Sequence, residues 1–399
     1  MAPPCGLDKS TPNYRAWLDS PGGDIAFGLE LQRSLDEKSW QGWLHNGAER
    51  VSIGSVSLQG SVMTLRFDPY DSYIEATLSP DHKTLEGEWI RYHGPDKESR
   101  LPFHARLGSA ARYPSELNGN QQFLRPRYRV QFSEDKHHAV AIFNLAFRPN
   151  KVSGTFLTTL GDYRYLEGIF DGVSLTLSCF DGAHAFLFKA RMQDDGSLKG
   201  DFWSRDSWHE TWTAAPDKDV ALPDPFNLSK YVDGVDLSKL SFPDPTGTPR
   251  RLDDPEFAGK ARLIVLLGTW CPNCNDQTEY MVALDKKYRK QGLSILGLAF
   301  ELGDDFERNA RTVNNYIKHH KAKFPILIAG TSDKKEAAKH FPALDTVLAY
   351  PTTLFIDHQD KVQAVYTGFA GPATGLAHSK LRQAFETKID TLLKQAQGH

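Results

Sequence analysis

The hydrophobic period of this 399-residue chain changes once, and that change restricts the folds open to it. From residue 20 to about 215, apolar and polar residues alternate, as in Ala26-Phe-Gly-Leu-Glu-Leu, Val62-Met-Thr-Leu-Arg-Phe, Tyr73-Ile-Glu-Ala-Thr-Leu and Ala185-Phe-Leu-Phe-Lys-Ala. A period of two belongs to strands with one buried face. Pro80-Asp81, Asp171-Gly172 and Asp195-Gly196 punctuate these runs as turns. Beyond residue 240, continuous apolar runs such as Arg262 to Leu267 alternate with stretches of helical spacing, the pattern of a sheet buried on both faces. The two patterns require separate domains, in keeping with roughly 150 residues per domain. Prolines 216, 223, 225, 243, 245 and 249, mixed with Asp and Ser, mark a stiff connection between them. The expected division is an N-terminal tail at 1–19, a β-rich domain at 20–215, a linker at 216–239 and an α/β domain at 240–399.

The β-rich part matches itself at a shift of about 113 positions. Gly60-Ser-Val-Met-Thr-Leu-Arg-Phe-Asp resembles Gly172-Val-Ser-Leu-Thr-Leu-Ser-Cys-Phe-Asp, and Thr84-Leu-Glu-Gly-Glu-Trp resembles Ser197-Leu-Lys-Gly-Asp-Phe. This reads as a tandem duplication of a meander of about five or six antiparallel strands. Two such meanders are expected to close into one antiparallel barrel or pack as a sandwich, since a long open sheet leaves exposed edges. Trp40, Trp43, Trp89, Trp203, Trp208 and Trp212 are expected to be core, because aromatics dominate burial. His137-His138 reads as a solvated hairpin tip. No catalytic grouping stands out in this half.

Composition narrows the partners. Charged residues make up 24% of the chain and the net charge is −3, which gives no electrostatic reason to expect nucleic acid or an anionic membrane surface. The longest aliphatic run, Leu263 to Leu267, is far short of the ~20 residues that span a bilayer. The start, Met1-Ala-Pro-Pro-Cys-Gly, has neither the basic residues nor the apolar stretch of a secretion signal.

The four cysteines are Cys5, Cys179, Cys271 and Cys274. They are too few for a disulfide framework, and zinc needs a second ligand pair that His319, His320 and His340 do not supply. Cys179 reads as a small buried thiol in an alternating strand. Cys5 reads as a plain tail residue rather than a lipid-attachment site. Cys271 and Cys274 form a C-x-x-C pair where an apolar strand gives way to helical spacing (Met281, Leu284, Tyr288) that stops at Gly292. Unpaired N–H groups at a helix start favour a thiolate on Cys271, and Pro272 fits a first turn where no donor is missed. Cys274 falls one turn deeper, shielded and within reach. Cys271 is expected to be exposed and to attack a disulfide, and Cys274 to resolve the product.

Trp270-Cys-Pro-Asn-Cys, followed about eighty residues later by Tyr350-Pro-Thr-Thr-Leu-Phe-Ile-Asp, resembles the thioredoxin superfamily. The lead-in Phe242-Pro-Asp and the extra helix and strand between the motifs resemble its TlpA/ResA-like branch, over about residues 240 to 395. The resemblance implies a thioredoxin-like α/β fold with Pro351 as a cis-proline facing the cysteines. It implies substrate docking by Trp270, Pro272, Asn273, Tyr350 and Thr352, with Pro272-Asn273 setting the reduction potential. It also implies a thiol–disulfide oxidoreductase that reduces disulfides of partner proteins, apocytochromes c among them. Such an enzyme works in the periplasm or cell envelope and is kept reduced by a membrane thiol transporter of the DsbD/CcdA type. Its redox group is the Cys271–Cys274 disulfide itself, with no cofactor or metal.

Two positions depart from the family pattern. The buried aspartate of thioredoxins is Val265 here, and a glutamate common in the branch is Gln277. Glu279 and Glu301 remain as acid/base candidates, and Glu301, ending a buried strand at the edge where sites form, is preferred. Two other functions and one other location stay open. A thiol peroxidase needs Pro-x-x-x-Thr-x-x-Cys, which Gly268-Thr-Trp-Cys lacks. A binding or holdase protein would use the β half to capture a ligand or client. A cytoplasmic location is the alternative to the envelope.

Overall fold

The computed structural model describes residues 13–397, except 35–38, 96, 109–110, 114–122, 135–137 and 146–149. Cys5 and His137 therefore lie outside the described residues, while His138 lies inside them.

The alternating half forms two closed antiparallel barrels, not one. In the first, eight strands from Tyr14–Ser20 to Lys97–Leu107 form a ring, and Glu49–Ser52 hangs on Trp40–Asn46 as an extra hairpin strand. The ring is closed by its first and last strands, with Leu18 opposite Phe103. In the second, eight strands run from Arg127–Phe132 to Trp208–Pro216 and close with Val130 opposite Ala214. Closure removes the free edges that an open meander would expose. Each repeat thus contributes more strands than expected and closes on itself. Strand Tyr14–Ser20, whose Tyr14, Ala16 and Leu18 are buried, belongs to the first barrel although residues 1–19 read as a tail.

The topology carries the duplication. Val62–Phe67 and Ser174–Phe180 are each the fifth strand of their ring, and Thr84–Gly94 and Leu198–Ser204 each the seventh. Gly87 and Gly200, equivalent in the self-match, are equivalent in space. A Cβ on Gly87 would lie 2.0 Å from the Glu75 carbonyl oxygen, and one on Gly200 1.9 Å from that of Lys189. Both positions let neighbouring backbones approach where a side chain would collide.

Aromatic rings fill the interiors. In the second barrel Phe156, Phe188 and Phe202 stack in series, with centroids 4.3 Å apart for each neighbouring pair. The first barrel's core takes in a ring from the second. Phe180 lies 4.6 Å from Phe27 and meets Trp89 edge-on at 5.3 Å. Of the six tryptophans expected in the core, only Trp89 and Trp212 are fully buried. Trp208 is exposed, and Trp43 lies half-buried under the Arg50 guanidinium. Their strands place them on outward faces, where burial depends on what covers the barrel.

Residues 216–239 contain only short 3₁₀ turns and are fastened to the C-terminal domain. Phe226 packs edge-on against Tyr366 at 4.9 Å, and Val232 N–H donates to the Ala343 carbonyl. That domain has a five-stranded sheet in the order Ile326–Thr331, Leu293–Glu301, Ala261–Leu267, Thr352–Ile356, Val362–Thr367. The first three strands are parallel and the last two antiparallel. Four helices accompany it: α1 (Pro272–Tyr288), α2 (Phe306–His320), α3 (Lys334–His340) and α4 (Leu376–Gln397). Asp305 caps α2 by accepting from Arg308 N–H, and Gly292, with φ 101°, turns the chain after α1.

Ala substitution at Gly87 or Gly200 is expected to destabilise its barrel by about 2 kcal/mol or more, through overpacking against backbone. A urea unfolding midpoint unchanged from the native chain would contradict the close-approach role.

Candidate active site

Strand Ala261–Leu267, buried along its whole length, delivers the chain to the site. Cys271 is the N-cap of α1 and Pro272 its first residue, and no side chain caps the turn. The N–H groups there are free to face the sulfur. Cys271 and Cys274 are free thiols, and Cys274 is fully buried. The Cys271 thiol is held below its ordinary pKa chiefly by a hydrogen bond from the Cys274 thiol. The N–H groups of Cys274 and Asn273 and the charge of Arg164 act in the same direction, against burial. Burial pushes Cys274 well up, and its bond to Cys271 raises it further. Of the two thiols, Cys271 is therefore the one that ionises more readily.

The Tyr350–Pro351 peptide is cis, and the Tyr350 carbonyl oxygen lies 3.5 Å from Cys271 Sγ. Trp270 is half-buried rather than exposed. Its indole N–H donates to the Phe300 carbonyl at 2.9 Å, and its ring meets Tyr350 edge-on at 5.9 Å. Asn273 Nδ2 donates to the Asp162 carbonyl at 3.2 Å. Thr352 is fully buried, and its hydroxyl donates to the Ala349 carbonyl. Val265 is core, and the Gln277 amide donates to Thr353 Oγ1.

Glu301 closes strand Leu293–Glu301 behind the cysteines, accepting from Thr269 N–H at 3.0 Å and from its hydroxyl at 2.6 Å. Burial pushes its pKa up to about 7, with the Thr269 donors opposing. A cavity of about 20 Å³ beside it, bordered by Tyr70, Tyr92 and Trp270, has room for roughly one water. Glu279, the other candidate, is exposed on α1.

The largest departure is that Cys271 is only 8% exposed, because both barrels cover it. Arg91 of the first barrel donates to the Trp270 carbonyl at 3.0 Å. Loop residues 159–165 of the second barrel lie across α1 and the turn after the last strand. A Cβ on Gly161 would strike the Asn273 amide at 2.3 Å, and one on Gly368 would lie 2.9 Å from the Leu160 carbonyl oxygen. Gly368 N–H in turn donates to the Pro351 carbonyl.

At the centre of this cover is Arg164, whose side chain is 5% exposed. Its guanidinium pairs with Glu49 of the first barrel, with Asp181 of the second at 3.4 Å and with Asp276 of α1. It also donates to the Pro272 carbonyl at 3.4 Å. Arg164 has φ 60°, a left-handed conformation that costs a non-glycine residue about 1–2 kcal/mol. The carboxylates around it outnumber the guanidinium. Burial pushes Glu49 up to about 8 and Asp162 up to about 6, and it raises Asp276. Asp181, against the cost of burial, is held well below the carboxylate range by His184 and Arg164. None of these groups was recognisable in the sequence, where nothing marks Glu49, Arg164, Asp181 and Asp276 as neighbours.

Residues 234–365 match the AhpC/TSA family model. The thiol-disulfide oxidoreductase ResA of Bacillus thuringiensis subsp. konkukian is 31% identical over 114 residues, covering 28% of this chain and 58% of that protein. ResA of Bacillus subtilis is 26% identical over 136 residues, 34% of this chain and 68% of the relative. The chain thus spans little more than half the length of the first of these. Among solved structures, a thiol:disulfide interchange protein of the thioredoxin family from Chlorobium tepidum aligns with 41% of this chain and 99% of its own. It is 23% identical with a TM-score of 0.30. The C-terminal part is a thioredoxin-like domain related to thiol–disulfide oxidoreductases.

Glu49 binds its proton more tightly in the folded chain than in an unfolded one. The stability linked to that proton is complete below the ordinary carboxylate pKa of about 4.3 and is lost as pH rises through about 8. The melting temperature of the native chain is expected to fall between pH 7 and 9. A Glu49→Gln chain, which cannot titrate there, should fall less; equal slopes would count against a protonated Glu49.

Proposed function

We propose that the chain is a protein thiol–disulfide oxidoreductase that reduces disulfides of partner proteins through Cys271 and Cys274. The observation that carries this reading is the placement of the two sulfurs: Cys271 at the N-cap of α1, 3.5 Å from the carbonyl oxygen of the cis Tyr350–Pro351 peptide, and Cys274 fully buried one turn deeper. The Cys271 thiolate attacks one sulfur of a partner disulfide, forming a mixed disulfide and expelling the other partner sulfur as a thiolate that takes up a proton. Cys274 then loses its proton and attacks the Cys271 sulfur. The second partner thiol leaves, and the Cys271–Cys274 disulfide remains. Two electrons pass to the partner, whose two leaving sulfurs take up two protons, one released by Cys274 and one from solvent.

Glu301 is the group suited to take the Cys274 proton. It is buried, interacts electrostatically with Cys274 and changes charge near neutrality. Trp270, Tyr350, Pro351 and Asn273 form the wall against which an extended partner would lie. Apocytochromes c as partners, a membrane thiol reductant of the DsbD/CcdA type and an extracytoplasmic location belong to the same proposal. Their support is the resemblance of the C-terminal domain to its relatives.

Insulin reduction should fall to background in Cys271→Ser, and Cys274→Ser should accumulate mixed disulfides on non-reducing gels. Retained turnover in Cys271→Ser would remove the assignment. Glu301→Gln should erase a limb near pH 7 from the kcat/KM profile, a limb on which the native enzyme gains activity as pH rises. A profile identical to the native one would take Glu301 out of the mechanism.

A further inference from the structure

We propose that the double barrel is a built-in cover for the dithiol, latched by Arg164, so that a protein disulfide reaches Cys271 only when the barrels lift from the thioredoxin-like domain. The inference rests on the dithiol reading of the site and adds its regulation.

The surface an extended partner would use is already occupied by this chain. Leu160 lies over Gly368, next to Pro351, and the Asn273 side chain is spent on the Asp162 carbonyl. The Trp270 carbonyl is spent on Arg91, and the Gly371 N–H on the Asp162 carboxylate. A second peptide has no room to bring a sulfur in line with Cys271 while these contacts stand.

The contacts just named are polar, which suits an interface that opens. Interfaces between domains of one chain that rest on polar groups generally permit relative motion. Here they converge on one cation. Arg164 joins the first barrel through Glu49, its own barrel through Asp181 and α1 through Asp276. Losing the guanidinium leaves Glu49 and Asp276 buried without the cation they pair with, an arrangement that favours separation and hydration. A second tie holds the rim, where Arg308 of α2 pairs with Asp71 and lies over the Tyr92 ring. Asp71, with φ 50°, shares the left-handed conformation of Arg164, so both latch positions on the barrels hold strained backbone. A cover open about 1% of the time lowers the observed rate about a hundredfold.

The test uses the full chain. Cys271 labelling, followed by peptide mass, is compared between iodoacetamide and a 5-kDa maleimide-polyethylene glycol (sizes of about 0.2 and 5 kDa, chosen to bracket a side chain and a small protein). The native chain is expected to discriminate against the large reagent about a hundredfold more than glutathione does. Equal discrimination would overturn the cover. Arg164→Met is expected to raise large-reagent labelling and insulin reduction about tenfold or more. Arg308→Glu, at the half-exposed rim, serves the same purpose with less risk to folding and should raise both by a smaller factor. Native-like labelling in folded chains of both variants would overturn the latch. Faster labelling with no insulin reduction by any chain would leave the cover standing and remove the reductase reading instead.

Discussion

A single buried guanidinium organises the molecule. Arg164 is surrounded by carboxylates from both barrels and from α1, and its burial depends on all of them. The second barrel and the thioredoxin-like domain each have an apolar core, and the core of the first barrel takes in Phe180, Ala183, Ala185 and Leu187 of the second. Around the start of α1 the three meet in this ion cluster, together with main-chain carbonyls at Pro272, Asp162 and Trp270 that find donors across the boundary. The redox helix therefore begins inside a polar seam rather than at an open surface.

That seam alters how the sulfur chemistry is set. In an exposed C-x-x-C pair the helix N-terminus and the solvent decide the charge on the first sulfur. In this chain the thiolate feels the helix N–H groups, its partner thiol and a cation contributed by a different domain. Glu301, on the far side, is shielded from water except for a cavity the size of one molecule.

The sequence was most legible where contacts are local. The helical spacing of Met281, Leu284 and Tyr288, ending before Gly292, marked α1, which runs Pro272–Tyr288. The C-x-x-C pair and the Tyr350-Pro351 dipeptide were visible because their chemistry depends on short spacings. The strands of the barrels were legible, but their closure was not. Whether two meanders join or close separately depends on pairings such as Leu18 with Phe103, which no local pattern encodes. Cys271 read as exposed because the groups that close over its turn come from residues more than a hundred positions away.

The ring of Phe180 has a consequence for how such a chain arose. It sits among Phe27, Phe67 and Trp89, completing the interior of the neighbouring copy. Two tandem copies that began as interchangeable units have become plug and socket. Trimming the chain back to a single ancestral copy would leave either an unfilled hollow or a stranded aromatic, so the doubling is now irreversible by simple deletion.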